Sequence, residues 1–367
     1  MLRRACQALL SAVLVAVSSF AYAQPRESDV PTITITTDRD PVDKSYRRMV
    51  MGMDLFEQNR NLAPDAALRF KLLPRRRETD MSRIGIEITG ETFARTVPVA
   101  QDNTFALERI QKALDEDASV RSNRRSATMT WRADIRTPGL PPDTRRLGDL
   151  RLECAVGMVA DLVSNRLTAA RRIADLAGRN RNYCSQERPR YFFFAERPLF
   201  SVTLVSGSRR EAVPSEMMYA GALDRRATKE DLATCDCEVL LDRAYFLPLG
   251  DRSWPDDTRV EFTYMDDGRV AAESSAAANA AAARAQQAIA TGTSAKSDVL
   301  AVLGRARAVR FDTGFEVWAY RINDPAKAAP SRQGRQAPMT QSELLVLFAP
   351  SGVAVKTRLG PDVPTES

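Results

Sequence analysis

The sequence predicts an α+β fold. It divides into a β-rich, sandwich-like N-terminal region with one or two helices, and a small C-terminal domain of two helices and a three-stranded antiparallel sheet. Three observations carry this. Short runs that alternate apolar and polar residues recur between polar turns, as strands with one buried face do. Composition shifts sharply to alanine between Ala271 and Ala290. Beyond that point a helical pattern gives way to strand patterns, the order of a separate α+β unit.

Taken in order, Arg3 and Arg4 precede an apolar run from Ala8 to Val17 and a small-x-small site, Ala21-Tyr22-Ala23. This is the layout of a secretory signal peptide over residues 1–23. The run is too short for a membrane span, and no later stretch supplies one. The expected product is exported, periplasmic and soluble from Gln24. Cys6 lies before the apolar core rather than directly after it, so no lipid anchor is expected.

Residues 24–268 read as β-rich, with a subdomain boundary near 138–148. Thr32 to Thr36 alternates as a strand, and Tyr46, Met49, Val50, Met53 and Phe56 share a helical face. Leu68 to Leu72, Ile84 to Ile88, Phe93 to Val99 and Thr104 to Leu107 alternate, the last two around a Gln101-Asp102-Asn103 hairpin turn. After the rigid Pro138-Gly139-Leu140-Pro141-Pro142 segment, Leu150, Leu152, Cys154 and Val156 read as a strand. Val159 to Ala177 reads as a helix closed by Gly178. Tyr191 to Phe194, Phe200 to Val205, Val239 to Leu241 and Val260 to Tyr264 complete the strands. The Val97-Pro98-Val99 strand, its polar turn and the Phe-containing strand after it resemble the prealbumin-like modules attached to carboxypeptidases, which implies a β-sandwich.

Residues 269–290 form an alanine-rich helix or linker, frayed at its start, since alanine is the best helix former. In residues 291–360, Thr293 or Ser294 caps a short helix with Val299, Val302 and Leu303 on its apolar side, and Gly304 stops it. Phe315 to Arg321 alternates, with Glu316, Trp318 and Tyr320 on one side, and burial under the helices is expected for the two aromatics. A polar loop spans Asn323 to Gln341. Leu344 to Phe348 is a central strand, and Pro350-Ser351-Gly352 turns it into Val353 to Arg358. Residues 361–367 read as a disordered tail.

The Gly292-Thr293 opening, Val299, Leu303-Gly304, Phe311, Trp318-x-Tyr320 and the closing hairpin together resemble the SmpA/OmlA (BamE-like) outer-membrane assembly family over about residues 285–359. The family consists of small envelope proteins that bind partners and catalyse nothing. The resemblance implies two helices and a three-stranded sheet, with envelope proteins or lipid as partners. Ala306 stands where the family has proline.

Histidine is absent from the 367 residues. That excludes Ser-His-Asp and Cys-His nucleophile systems and the commonest catalytic zinc sites. No Ser-x-x-Lys, Gly-x-Ser-x-Gly, phosphate-cradling or calcium-loop motif occurs, so no catalytic residue, metal or cofactor is assigned. Carboxylates are the remaining route to acid-base chemistry: Asp115, Glu116 and Asp117, or Asp256 and Asp257, or Asp266 and Asp267. They leave open a hydrolase acting on glycan or peptidoglycan, although each reads better as a solvated run or a turn.

The net charge of +6 is spread along the chain, unlike the concentrated charge of nucleic-acid binders. Arg75-Arg76-Arg77 is the one dense cluster. It could meet anionic lipid or lipopolysaccharide, and a solvated turn is the simpler reading. Trp318 and Tyr320 are the other candidate interaction residues. In an oxidising compartment, Cys154, Cys184, Cys235 and Cys237 are disulfide candidates. Either each of Cys235 and Cys237 pairs with one of the other two, or Cys154 pairs with Cys184, since a Cys-x-Cys ring strains the bond.

Overall fold

The computed structural model describes residues 43–124, 128–162, 183–186, 189–224, 238–275, 278–323 and 340–364. The expected signal peptide, the Thr32 to Thr36 strand, all of the expected Val159 to Ala177 helix beyond Leu162, Cys235 and Cys237, and most of the loop before Gln341 lie outside them. The described residues form an α+β, β-rich fold around three large apolar cores and one small cluster at Ala220 and Ala244.

The first core gathers β1 (Lys44–Ser45), α1 (Tyr46–Gln58), β2 (Ala67–Pro74), β3 (Ile86–Thr89), β4 (Ala94–Val97), β5 (Thr104–Phe105), α2 (Gln111–Asp115), β6 (Ser119–Ser122) and β7 (Met129–Arg136). They form a four-stranded sheet of order β1-β6-β3-β4 and a three-stranded sheet of order β5-β2-β7. Ser45 caps α1 by accepting from the Arg48 amide, and Tyr46, Met49, Val50 and Phe56 are buried as the helical spacing predicts. Tyr46 fixes the helix to the chain beyond β5: its hydroxyl donates to the Glu108 carbonyl and accepts from the Ile110 amide. The turn at Gln101 to Asn103 forms, yet β4 and β5 are not partners. Beyond one bridge between Val99 and Phe105, β4 pairs with β3 and β5 with β2.

The middle part comprises β8 (Thr144–Arg146), α3 (Leu147–Val159), β9 (Phe193–Phe194), β10 (Leu199–Ser206), β11 (Arg209–Ala212), β12 (Ala244–Tyr245) and β13 (Arg259–Tyr264). The sheet order is β11-β10-β13-β8. The strand expected at Leu150 to Val156 is helix α3. Its Leu147, Leu150 and Cys154 enter the second core, while Leu152 and Val156 enter the first. A helix buried on two sides loses its one-sided stripe, and the polar residues between become internal. Glu153 accepts from the Ile135 amide at 2.7 Å and pairs with buried Arg145. Arg151 donates to the carbonyls of Leu249, Asp251 and Trp254. Asp149 accepts from the amide and hydroxyl of Thr137, and burial pushes its carboxyl up despite those donors. Val239 to Leu241, expected as a strand, lies in the 3-10 segment Glu238–Arg243.

The last part holds β14 (Ala271–Glu273), α4 (Ala280–Gln287), α5 (Lys296–Leu303), β15 (Arg307–Arg310), β16 (Glu316–Asn323), β17 (Thr340–Phe348) and β18 (Ala354–Pro364). The sheet is five-stranded, β14-β18-β17-β16-β15, wider than the three strands expected. The additions are β15 and β14, and β14 pairs in parallel with β18 where the alanine-rich helix was expected to begin. Helix α4 starts later, capped by Asn279, whose side chain accepts from the Ala282 amide at 2.8 Å. Neither Thr293 nor Ser294 caps α5. Its N-cap is Ala295, whose amide donates to Asp298, and Ser294 instead accepts from the Ala290 amide. Val299 is buried as expected, but Val302 is 55% exposed. Strand β18 runs to Pro364, past residue 361 where a tail was expected.

Both faces of this sheet are covered. Val317, Leu345 and Leu347 face the second core. Tyr320, Leu344, Val346, Phe348 and Leu359 form a third core with Ala282, Ile289 and Val299 from the helical side. Among the described residues, no helix is long and apolar enough to cross a membrane.

Candidate functional site

A cavity of about 250 Å³ opens between the inner face of the C-terminal sheet and the segment that follows β11. The sheet contributes Arg307 from β15, Ala319 and Arg321 from β16 and Glu343 from β17. The pairing Ala319↔Arg307 and Arg321↔Glu343 places these side chains on one face, because alternate residues of a strand share a side. Ser215 and Leu223 supply the opposite wall, and Leu303 and Arg305 a rim at the end of α5.

The polar groups of this cavity divide into two sets. Glu343 is fully engaged: it accepts from the Ser215 amide at 3.0 Å, from the Ser215 hydroxyl, and from the Arg358 guanidinium at 2.7 Å. Arg358 is itself buried and also donates to the Val213 carbonyl. Arg321 pairs with Glu216 at 3.0 Å, both about one-third exposed. The side chains of Arg305 and Arg307, by contrast, line the cavity with no hydrogen bond or ion pair to any described residue. Two guanidinium charges are therefore left over at the wall.

The opposite wall is conformationally unusual. Tyr219, Ala220 and Gly221 have φ of 53°, 56° and 84° in succession. Left-handed backbone costs about 1–2 kcal/mol per non-glycine residue, so surrounding contacts must impose it. Tyr219 is fully buried, donates to the Leu199 carbonyl at 2.9 Å and packs on Phe311 with ring centroids 4.9 Å apart. At Gly221 a Cβ would meet the Arg190 guanidinium at 2.8 Å.

The sequence candidates fall mostly elsewhere. Arg75 is buried, Arg76 is exposed, and Arg77 pairs with Asp312. That triplet is thus not a uniform basic patch, since its members point to different surroundings. Tyr320 is buried, donates to the Gly304 carbonyl and lines the cavity, and burial pushes its phenol up to about 12. Trp318 is half-buried against Phe348 and donates to Glu316 at 2.6 Å. Cys154 and Cys184 form a disulfide with Cα atoms 5.9 Å apart.

Six of the seven carboxylate candidates are engaged in local structure. Asp115 accepts from Gln111, Glu116 from both the amide and hydroxyl of Thr92, and Asp117 from Arg47. Asp256 pairs with Arg151, Asp266 with Arg197 and Asp267 with Lys356, while Asp257 is exposed. None of them lines the cavity.

The cavity arginines were missed in the sequence. The available signal was Arg305-x-Arg307 directly after the Leu303-Gly304 helix stop, with Arg321 at alternating spacing on the next strand. No protein-family model matches the chain, and neither a curated protein nor a solved structure matches it.

Proposed function

We propose that this is a non-catalytic binding or scaffold protein of the cell envelope, exported to the periplasm and active in outer-membrane or envelope maintenance. The observation that carries the reading is the cavity walled by arginines lacking a described partner, with its one carboxylate, Glu343, already saturated by three donors. Such a site attracts an anion and offers no free acid-base pair. The occupied carboxylates elsewhere support binding over hydrolysis of a glycan, which needs two facing acids.

An SmpA/OmlA-like origin for residues 291–360 is part of the proposal. It is supported by α4 and α5 preceding the antiparallel strands. The disulfide is compatible with an oxidising compartment. Envelope proteins are the expected partners, with no role for nucleic acid. Crosslinked co-purification from intact cells tests the reading: recovery of envelope proteins is expected, and recovery of no envelope component overturns it.

A further inference from the structure

We propose that the cavity between the C-terminal sheet and the Ser215 to Leu223 wall binds a small organic anion, one phosphate or carboxylate group carrying a short apolar body. This deepens the binding reading and depends on it only for the premise that the cavity is a binding site. The anionic group is specified by Arg305 and Arg307, which have no partner among the described residues, and by Arg321, whose partner Glu216 is itself partly exposed. Guanidinium forks match carboxylate and phosphate oxygens in pairs. Glu343 does not oppose an anion, because Arg358 and Ser215 already neutralise and saturate it.

The apolar body is specified by Leu223, Leu303, Ala319 and Ile322, which share the lining with the arginines. Size is bounded by the volume of about 250 Å³, below the usual range for drug-sized ligands. A polyanionic macromolecule fits poorly, because a cavity of about 250 Å³ admits only a small group.

The test is calorimetric titration of the purified full chain, at physiological salt, with inorganic phosphate, phenyl phosphate, acetate and phenylacetate. Phenyl phosphate or phenylacetate is expected to bind about tenfold or more tightly than its bare counterpart, and the better of the two identifies the anionic group. The double variant R305Q/R307Q is expected to weaken that binding about tenfold or more, because charge-assisted hydrogen bonds are lost. Its thermal unfolding should match the parent, since neither side chain has a described partner, whereas R76Q should leave binding unchanged. No gain from the phenyl group, or equal affinity in R305Q/R307Q and the parent, overturns the assignment. Such a result would leave the envelope reading standing if co-purification succeeds.

Discussion

The ammonium of Lys356, 1% exposed on β18, meets the carboxylate of Asp267, 14% exposed in the turn after β13, and also donates to the Arg269 carbonyl at 2.7 Å. This contact ties the C-terminal sheet to the middle of the chain. Removing one partner of a buried pair leaves an uncompensated charge, so Asp267→Ala should cost about 3 kcal/mol or more. The double variant Asp267→Ala with Lys356→Met should recover part of that loss. Urea denaturation of the four proteins in the cycle measures both effects.

The same carboxylate sets an acid limit. Burial opposes its ionisation, but the Lys356 ammonium and the Arg269 amide outweigh it and hold Asp267 below its ordinary value of 3.8. Glu316 behaves alike: burial raises it, and donors from Lys296, Trp318 and Arg310 bring it below 4.5. A depressed carboxyl contributes stability that is complete above its unfolded pKa and is lost as pH falls through the folded one. Unfolding free energy should therefore drop as pH falls below the 3.8 to 4.5 range. Asp267→Asn should flatten that drop, as read by denaturation at a series of pH values.

The Cys154–Cys184 disulfide closes a loop of 30 residues onto α3. Loop-closure entropy for that span gives about 3.6 kcal/mol. Reduction, or Cys154→Ala with Cys184→Ala, should lower the thermal midpoint correspondingly. A midpoint unchanged by reductant would refute that contribution.

Gly148 sits at the start of α3, where an added Cβ would lie 2.1 Å from the Leu62 carbonyl oxygen and 3.0 Å from that of Asp256. Both obstacles are backbone and cannot rotate away. Gly148→Ala should therefore destabilise by about 1–3 kcal/mol through overpacking. Gly207→Ala meets nothing within 4 Å but has φ of 57°, so it separates backbone strain from steric clash in the same denaturation assay.

Two kinds of segment were legible in the sequence. Tyr46 to Phe56 and Leu68 to Leu72 carried periodicities that the structure keeps, and the unbroken apolar run Leu344 to Phe348 read as a central strand because it is buried on both faces. Helix α3 was misread because Arg151 and Glu153 are internal ion-pair members, so their polarity imitated the solvent side of a strand. Strand β14 was hidden because alanine favours a helix, whereas Ala271 to Glu273 are held by pairing with distant Lys356 to Arg358. The cavity was legible only in its parts. Arg305 and Arg307 alternate visibly, but nothing local indicates that Ser215 closes over them or that Arg358 neutralises Glu343.

The parallel pairing of β14 with β18 also imposes an order of events on a chain made from its N-terminus. Strand β18 lies between β14 and β17, so β14 has no neighbour in its sheet until Lys356 to Arg358 have been synthesised. Until then the buried cations of β18 are missing, Asp267 and Glu343 lack their counter-charges, and the second core lacks its C-terminal cover. The nascent protein thus carries an unfinished sheet and unpaired acids to the last strand, a window in which proteolysis or a holding chaperone would decide its fate.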